Sequence, residues 1–159
     1  NNNNNLPQYI YKSDSSTIIS GVYNLITNTR SSLISNSVYA GIDYSSNSSV
    51  VGGVFSQINY GSRNSTILSS SYADIEKYSC NSTILAANYS YISYGSEYAT
   101  LASAKDSSIC YYNRYSSIIG GVNNKIKNNS CYSSIISGCD NTISCYSCYS
   151  YSCYSYRPY

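Results

Sequence analysis

Residues Tyr115–Ile143 read YSSIIGGVNNKIKNNSCYSSIISGCDNTI, and one phrase in them returns. Ser116-Ser117-Ile118-Ile119-Gly120-Gly121 recurs as Ser133-Ser134-Ile135-Ile136-Ser137-Gly138, and the step from Ser116 to Ser133 sets a period. Ile126 stands eight residues after Ile118, and Ile143 eight after Ile135. A fixed short period of this kind marks an architecture of stacked repeats.

Carried backwards, the period frames most of the chain. A first aliphatic column runs Ile18, Ile34, Val50, Ile67, Ile84, Leu101, Ile118 and Ile135, its steps lengthening by a single residue after Val50. A second runs Ile26, Ile42, Ile58, Ile75, Ile92, Ile109, Ile126 and Ile143, isoleucine at all eight positions. Ser stands two residues before the first column in seven repeats of eight, Ala99 being the exception. A pair of small residues follows that column, as in Gly52-Gly53 and Ala86-Ala87. The frame divides the chain into a polar N-terminal arm (1–15), solenoid repeats (16–146) and a Tyr/Cys/Ser-rich tail (147–159). In that tail the next first-column position falls on Ser152, so the core residue is lost.

Ser, Asn, Gly and β-branched residues are poor helix formers, whereas Ile, Val, Thr and Tyr suit strands. The fold expected is therefore all-β: a parallel β-solenoid, a two-sided β-roll of eight 16–17-residue rungs. Strands about 4.8 Å apart would make a rod roughly 38 Å long. A triangular left-handed β-helix would need an aliphatic residue every six, and none recurs at that spacing. The second column then forms the core ladder.

Neighbouring strand residues point to opposite faces. If Ile118 faces inward, Ile119 and its copies face out. Ile19, Val51, Leu68, Leu85, Ile119 and Ile136 would form an outward apolar stripe, with Ser35 and Ala102 interrupting it. Such stripes mark interfaces, here between subunits.

Composition narrows the function. Charged residues are only 10% of the chain and the net charge is +2, with no basic patch, so nucleic acid is excluded as a partner. No apolar run approaches the roughly 18 residues of a membrane span, so no membrane insertion is expected. The chain shows no leader signature and does not begin with Met, which reads as a processed chain or a piece of a longer one.

The pattern S-S-I-I-G-G-x-x-N-x-I resembles the β-roll repeats of trimeric autotransporter adhesin heads, and more closely those in fibre proteins of phages and large DNA viruses. The resemblance covers Ser16 to Ile143 and implies a homotrimer whose outer stripes pack on a threefold axis. It implies a structural or adhesive fibre module on a virion or cell surface, extracellular and not an enzyme. Two other functions fit the same residues. One is an ice-binding solenoid using the outward Thr/Ser and aliphatic face; the other is a Tyr/Cys cross-linked coat or filament protein.

No catalytic or metal site and no cofactor is expected. His is absent, which removes the commonest general base and metal ligand. Asp74 and Glu76, the close acidic pair, read as a solvated turn beside Lys77. Tyr23, Tyr39, Phe55, Tyr72 and Tyr89 share a column and predict an aromatic ladder. Tyr98, Tyr115, Tyr132 and Tyr149 form another. The ladders either rigidify the solenoid or offer surface glycans a platform. Asn47, Asn64 and Asn81 begin sequons in one column and read as stacked turn residues. Cys131 and Cys148, one repeat apart in the same column, are disulfide candidates; Cys110 and Cys139 read as buried thiols.

Overall fold

The computed structural model describes residues 8–144 and 154–156. Among them the regular structure is entirely β. Each rung gives one strand to each of two sheets. First-column residues centre the strands of an eight-stranded parallel sheet, from Thr17–Val22 through Thr100–Ala102 to Ser134–Ile136. Second-column isoleucines centre a ten-stranded sheet, parallel in all but its last pairing. The register follows the sequence columns. Ile84 lies opposite Ile67 and Leu101, and Ile92 opposite Ile75 and Ile109. The protein is a two-sided parallel β-solenoid of eight rungs, as the two columns predict.

The N-terminal boundary differs. Within the segment expected as a polar arm, Tyr9–Tyr11 forms a strand that pairs in parallel with Leu25–Thr27 and sets Ile10 opposite Ile26. Ile10 lies one repeat before Ile26, so the second column starts a rung earlier than the first. At the other end Tyr154–Tyr156, inside the predicted tail, pairs antiparallel with Thr142–Ser144. The rest of that tail, and Asn1–Pro7, lie outside the described residues.

Ile26, Ile34, Ile58, Ile67, Ile75, Ile84, Ile92, Ile109, Ile118 and Ile126 are fully buried, Ile42 is nearly so, and Ile143 closes the ladder slightly more open. Two such side chains per rung cannot fill the cross-section. The corners are filled by small residues, largely serine: Ser45, Ser62, Ser79 and Ser96 in one column, Ser48, Ser65 and Ser82 in another. Buried hydroxyls cost free energy unless they are bonded. Here each bonds along the rod. Ser62 Oγ donates to the Glu76 carbonyl at 2.6 Å and accepts the Ser79 N–H at 3.0 Å. Ser79 repeats this with the Ser93 carbonyl at 2.8 Å and the Ser96 N–H at 3.2 Å. Among the described residues no buried side-chain nitrogen or oxygen lacks a partner.

The lengthening of the repeat by one residue has a structural cause. Val50 follows Ile42 by eight residues, but Ile67 follows Ile58 by nine. The extra residue lies in the corner leading from the second column back to the first. There Ser62, Ser79 and Ser96 donate their N–H to Asn59, Glu76 and Ser93, closing four-residue turns at 3.1, 3.3 and 3.2 Å. The third residue of each turn is left-handed: Gly61, Tyr78 and Gly95 have φ of 77°, 60° and 71°.

Gly21 and Gly121, in equivalent corners at either end of the rod, are required by close approach. Gly121 has φ 88°, and a Cβ there would lie 2.1 Å from the Gly138 carbonyl and 2.4 Å from Asn124 Nδ2. Gly121→Ala is therefore expected to destabilise the fold by roughly 1–3 kcal/mol in denaturant titration. Gly41→Ala serves as the control, because its Cβ would meet only Gln57 at 3.8 Å.

Candidate functional site

Strand parity gives the eight-stranded sheet an outer face made of two rows. One is Thr17, Leu33, Ser49, Thr66, Thr83, Thr100, Ser117 and Ser134, partly tied together by Ser49–Thr66 and Ser117–Ser134 hydroxyl contacts of 3.4 and 3.1 Å. The other holds the predicted stripe. Ile19, Leu85, Ile119 and Ile136 are 54%, 41%, 46% and 75% exposed, and Val51 and Leu68 are half-buried. No charged residue occurs in either row. The outer face of the ten-stranded sheet carries Asp43, Asp74, Glu76 and Lys125. The outer face of the eight-stranded sheet is thus uncharged, while charge lies on the opposite sheet and at the corners.

Tyr23, Tyr39, Phe55, Tyr72 and Tyr89 stack as a ladder, with ring centroids 4.8, 4.8, 5.1 and 4.5 Å apart and planes within 14°. It ends there because the next occupant of the column is Asp106. All five residues sit at left-handed corners, φ 50–56°. That conformation costs a non-glycine residue about 1–2 kcal/mol, which stacking at roughly 0.5–1.5 kcal/mol a pair largely offsets. Parallel stacking also covers both faces of every inner ring, the surface a glycan would need. Tyr98, Tyr115 and Tyr132 stack likewise at 4.9 and 5.0 Å, while Tyr149 lies outside the described residues. In the same corner column Asn64 Nδ2 donates to Asn81 Oδ1 at 3.3 Å.

A third aromatic series escaped the sequence reading because it shifts by one residue from rung to rung. Tyr44, Tyr60, Tyr78, Tyr94 and Tyr112 occupy the corner where the period lengthens. Their contacts are tilted between Tyr44 and Tyr60 and edge-to-face beyond, with interplanar angles of 42°, 80°, 77° and 75°. In a rung with Gly in the left-handed position, the Tyr stands one place earlier. The next rung's Tyr then lies against that glycine: a Cβ on Gly61 would sit 2.6 Å from the Tyr78 ring, and one on Gly95 2.8 Å from Tyr112. The signal was the alternation Tyr60-Gly61, Lys77-Tyr78, Tyr94-Gly95.

This zigzag opens a groove of about 440 Å³ lined by Asn28, Tyr44, Ser46, Tyr60, Gly61, Arg63, Tyr78 and Cys80. The Cys80 thiol donates to the Gly61 carbonyl at 3.2 Å and accepts the Arg63 N–H at 3.5 Å. Arg63 shares a column with Asp14, Arg30, Ser46, Cys80, Glu97 and Arg114. Arg30 lies 3.9 Å from Asp14, and Arg114 lies 3.4 Å from Glu97. Among the described residues the Arg63 side chain has no carboxylate within ion-pair distance.

On the ten-stranded sheet, the acidic pair expected at a solvated turn proves to be in and beside a strand. Asp74 belongs to the strand Asp74–Ile75, and Glu76 follows directly. Burial, then the Glu76 charge, push the Asp74 carboxyl up to about 6, although Asn59 Nδ2 donates to its Oδ1 at 2.6 Å. Cys131 is disulfide-bonded, and its predicted partner Cys148 lies outside the described residues. Cys80, Cys110 and Cys139 are free thiols; Cys110 is half-buried and Cys139 exposed, so neither is the buried thiol expected. Among the described residues no three His, Cys, Asp or Glu side chains gather as a metal site would need.

No family model and no curated protein matches the chain. Solved structures do. The polySia-specific acetyltransferase NeuO aligns at 11% identity over 83% of this chain and 80% of its own, with a TM-score of 0.28. A putative acetyltransferase from Desulfovibrio desulfuricans G20 aligns at 9% identity over 84% of this chain but only 30% of its own, TM-score 0.29. LpxA from Acinetobacter baumannii aligns at 11% identity over 89% of this chain and 69% of its own, TM-score 0.27. These findings correct the sequence reading. The fibre function rested on a resemblance, and the solenoid aligns with acetyltransferases instead. The fibre module, its ice-binding and coat alternatives, and the exclusion of an enzyme are all withdrawn. Overlap this slight does not carry the acetyltransferases' chemistry to this chain.

Proposed function

We propose that the protein is a self-associating solenoid whose copies meet through the outer face of the eight-stranded sheet. The observation that supports this is the absence of charge from that whole face, although charged residues line the opposite sheet. A repeated, uncharged surface of methyl and hydroxyl groups meets a second copy of itself without like-charge repulsion. The assembly proposed is a homotrimer with the rods side by side. Burying one aliphatic side chain of the stripe is worth roughly 1.5–3 kcal/mol, so several per chain outweigh the cost of association.

Sedimentation of the full chain tests this, with three times the 17.4 kDa chain mass expected. Replacing Leu68, Leu85 and Ile119 together by Ser is expected to release monomers that keep the β-sheet circular dichroism. A monomeric unmodified protein at high concentration would overturn the reading.

A further inference from the structure

From the groove at the zigzag corner we infer a binding site for a carboxylate-bearing sugar ring of the uronic acid type. It is a separate surface from the proposed association face and does not depend on it. Three features define its ligand. The first is charge. Of three arginines in one corner column, Arg30 and Arg114 face Asp14 and Glu97, while Arg63 stands between Ser46 and Cys80 without an acid. A guanidinium in that state matches a carboxylate, which it can bind through two parallel hydrogen bonds.

The second feature is the ring surface. Edge-to-face packing leaves the edge-giving ring with its own faces clear of its partner, unlike the parallel ladder. Tyr60 and Tyr78 meet at 80°, are 42% and 45% exposed and both line the groove with Arg63, so apolar ring surface is open beside the cation. A pyranose offers a matching face of C–H groups. The third is hydrogen-bonding capacity. The Asn28 carboxamide and Ser46 hydroxyl line the groove and make no side-chain hydrogen bond among the described residues, which leaves them for sugar hydroxyls. The volume, about 440 Å³, falls in the range of small-molecule sites.

The rod supplies its own control two rungs along. Around Gly95 the zigzag repeats with Tyr94 and Tyr112, but there Glu97 neutralises Arg114. Sodium glucuronate titrated into the ¹⁵N-labelled full chain is expected to give saturable shifts at the Gly61 and Arg63 amides in the millimolar range, and none at Gly95. Glucose and sodium sulfate should each bind roughly tenfold or more weakly, since each lacks either the charge or the ring. Arg63→Gln should cost the same factor, and Arg114→Gln should leave glucuronate binding unchanged. The spectra themselves report whether each exposed-site variant is folded. Equal binding by Arg63→Gln, equal binding of sulfate, or no saturable shift with glucuronate would overturn the assignment.

Discussion

Ile92→Asp is expected to melt the central rungs and to lower the unfolding midpoint so far that little folded protein remains at room temperature. Ile92 is fully buried, with Ile75 below and Ile109 above in register. A carboxylate there has neither cation nor donor, because the nearby polar groups already bond along the rod. Breaking the core in this way costs about 4–5 kcal/mol or more. Each rung of a solenoid touches only its neighbours, so the damage interrupts the stack on both sides. Ile92→Val, which removes one methyl group, should cost only about 0.5–1.5 kcal/mol. Circular dichroism during urea titration of the two variants checks the contrast. Near-equal midpoints would mean that the second column is not the core.

Asp74→Asn is expected to act in the opposite direction and to stabilise the protein at neutral pH. The carboxyl is pushed from the ordinary 3.8 to about 6 in the folded state, chiefly by burial and next by Glu76. The folded chain therefore prefers the protonated acid. Its penalty is absent below the unfolded value, grows as pH rises from about 4 to about 6, and stays constant above. At one pK unit per roughly 1.4 kcal/mol, the penalty at pH 7 is about 3 kcal/mol at most. Asparagine removes the charge yet keeps a carbonyl oxygen to accept the Asn59 amide. Stability measured at pH 4 and pH 7 should fall with rising pH more steeply in the parent than in the variant. A variant no more stable than the parent at pH 7 would mean that Asp74 is not desolvated.

The two aliphatic columns made the rungs, both sheets and their register legible, because one residue type at a constant spacing can be stacked in few ways. The outward stripe followed from parity alone. The serines were harder. Seven of eight repeats place Ser before the first column, but serine is a surface residue by habit, and only the structure shows its hydroxyls bonded in file through the interior. The Tyr23–Tyr89 ladder was visible because its residues hold one column. The groove was not, because Tyr44, Tyr60 and Tyr78 change column when the turn gains a residue. Arg63 stands out only once its neighbours in space, Ser46 and Cys80, are set against the acids beside Arg30 and Arg114. That comparison needs the register.

The alternation at the zigzag corner also fixes how such a rod could change length. Excising a single repeat between equivalent positions would rejoin the two sheets in register and shorten the molecule by one storey. At this corner, however, it would bring two Tyr-Gly turns, or two turns with Tyr in the left-handed place, into direct succession. Tyr60-Gly61 and Tyr94-Gly95 stand two repeats apart, with Lys77-Tyr78 between them. Duplication or loss of such a double repeat keeps the left-handed Tyr of each second rung resting on the Gly of the rung before, so the module that preserves this corner is two rungs.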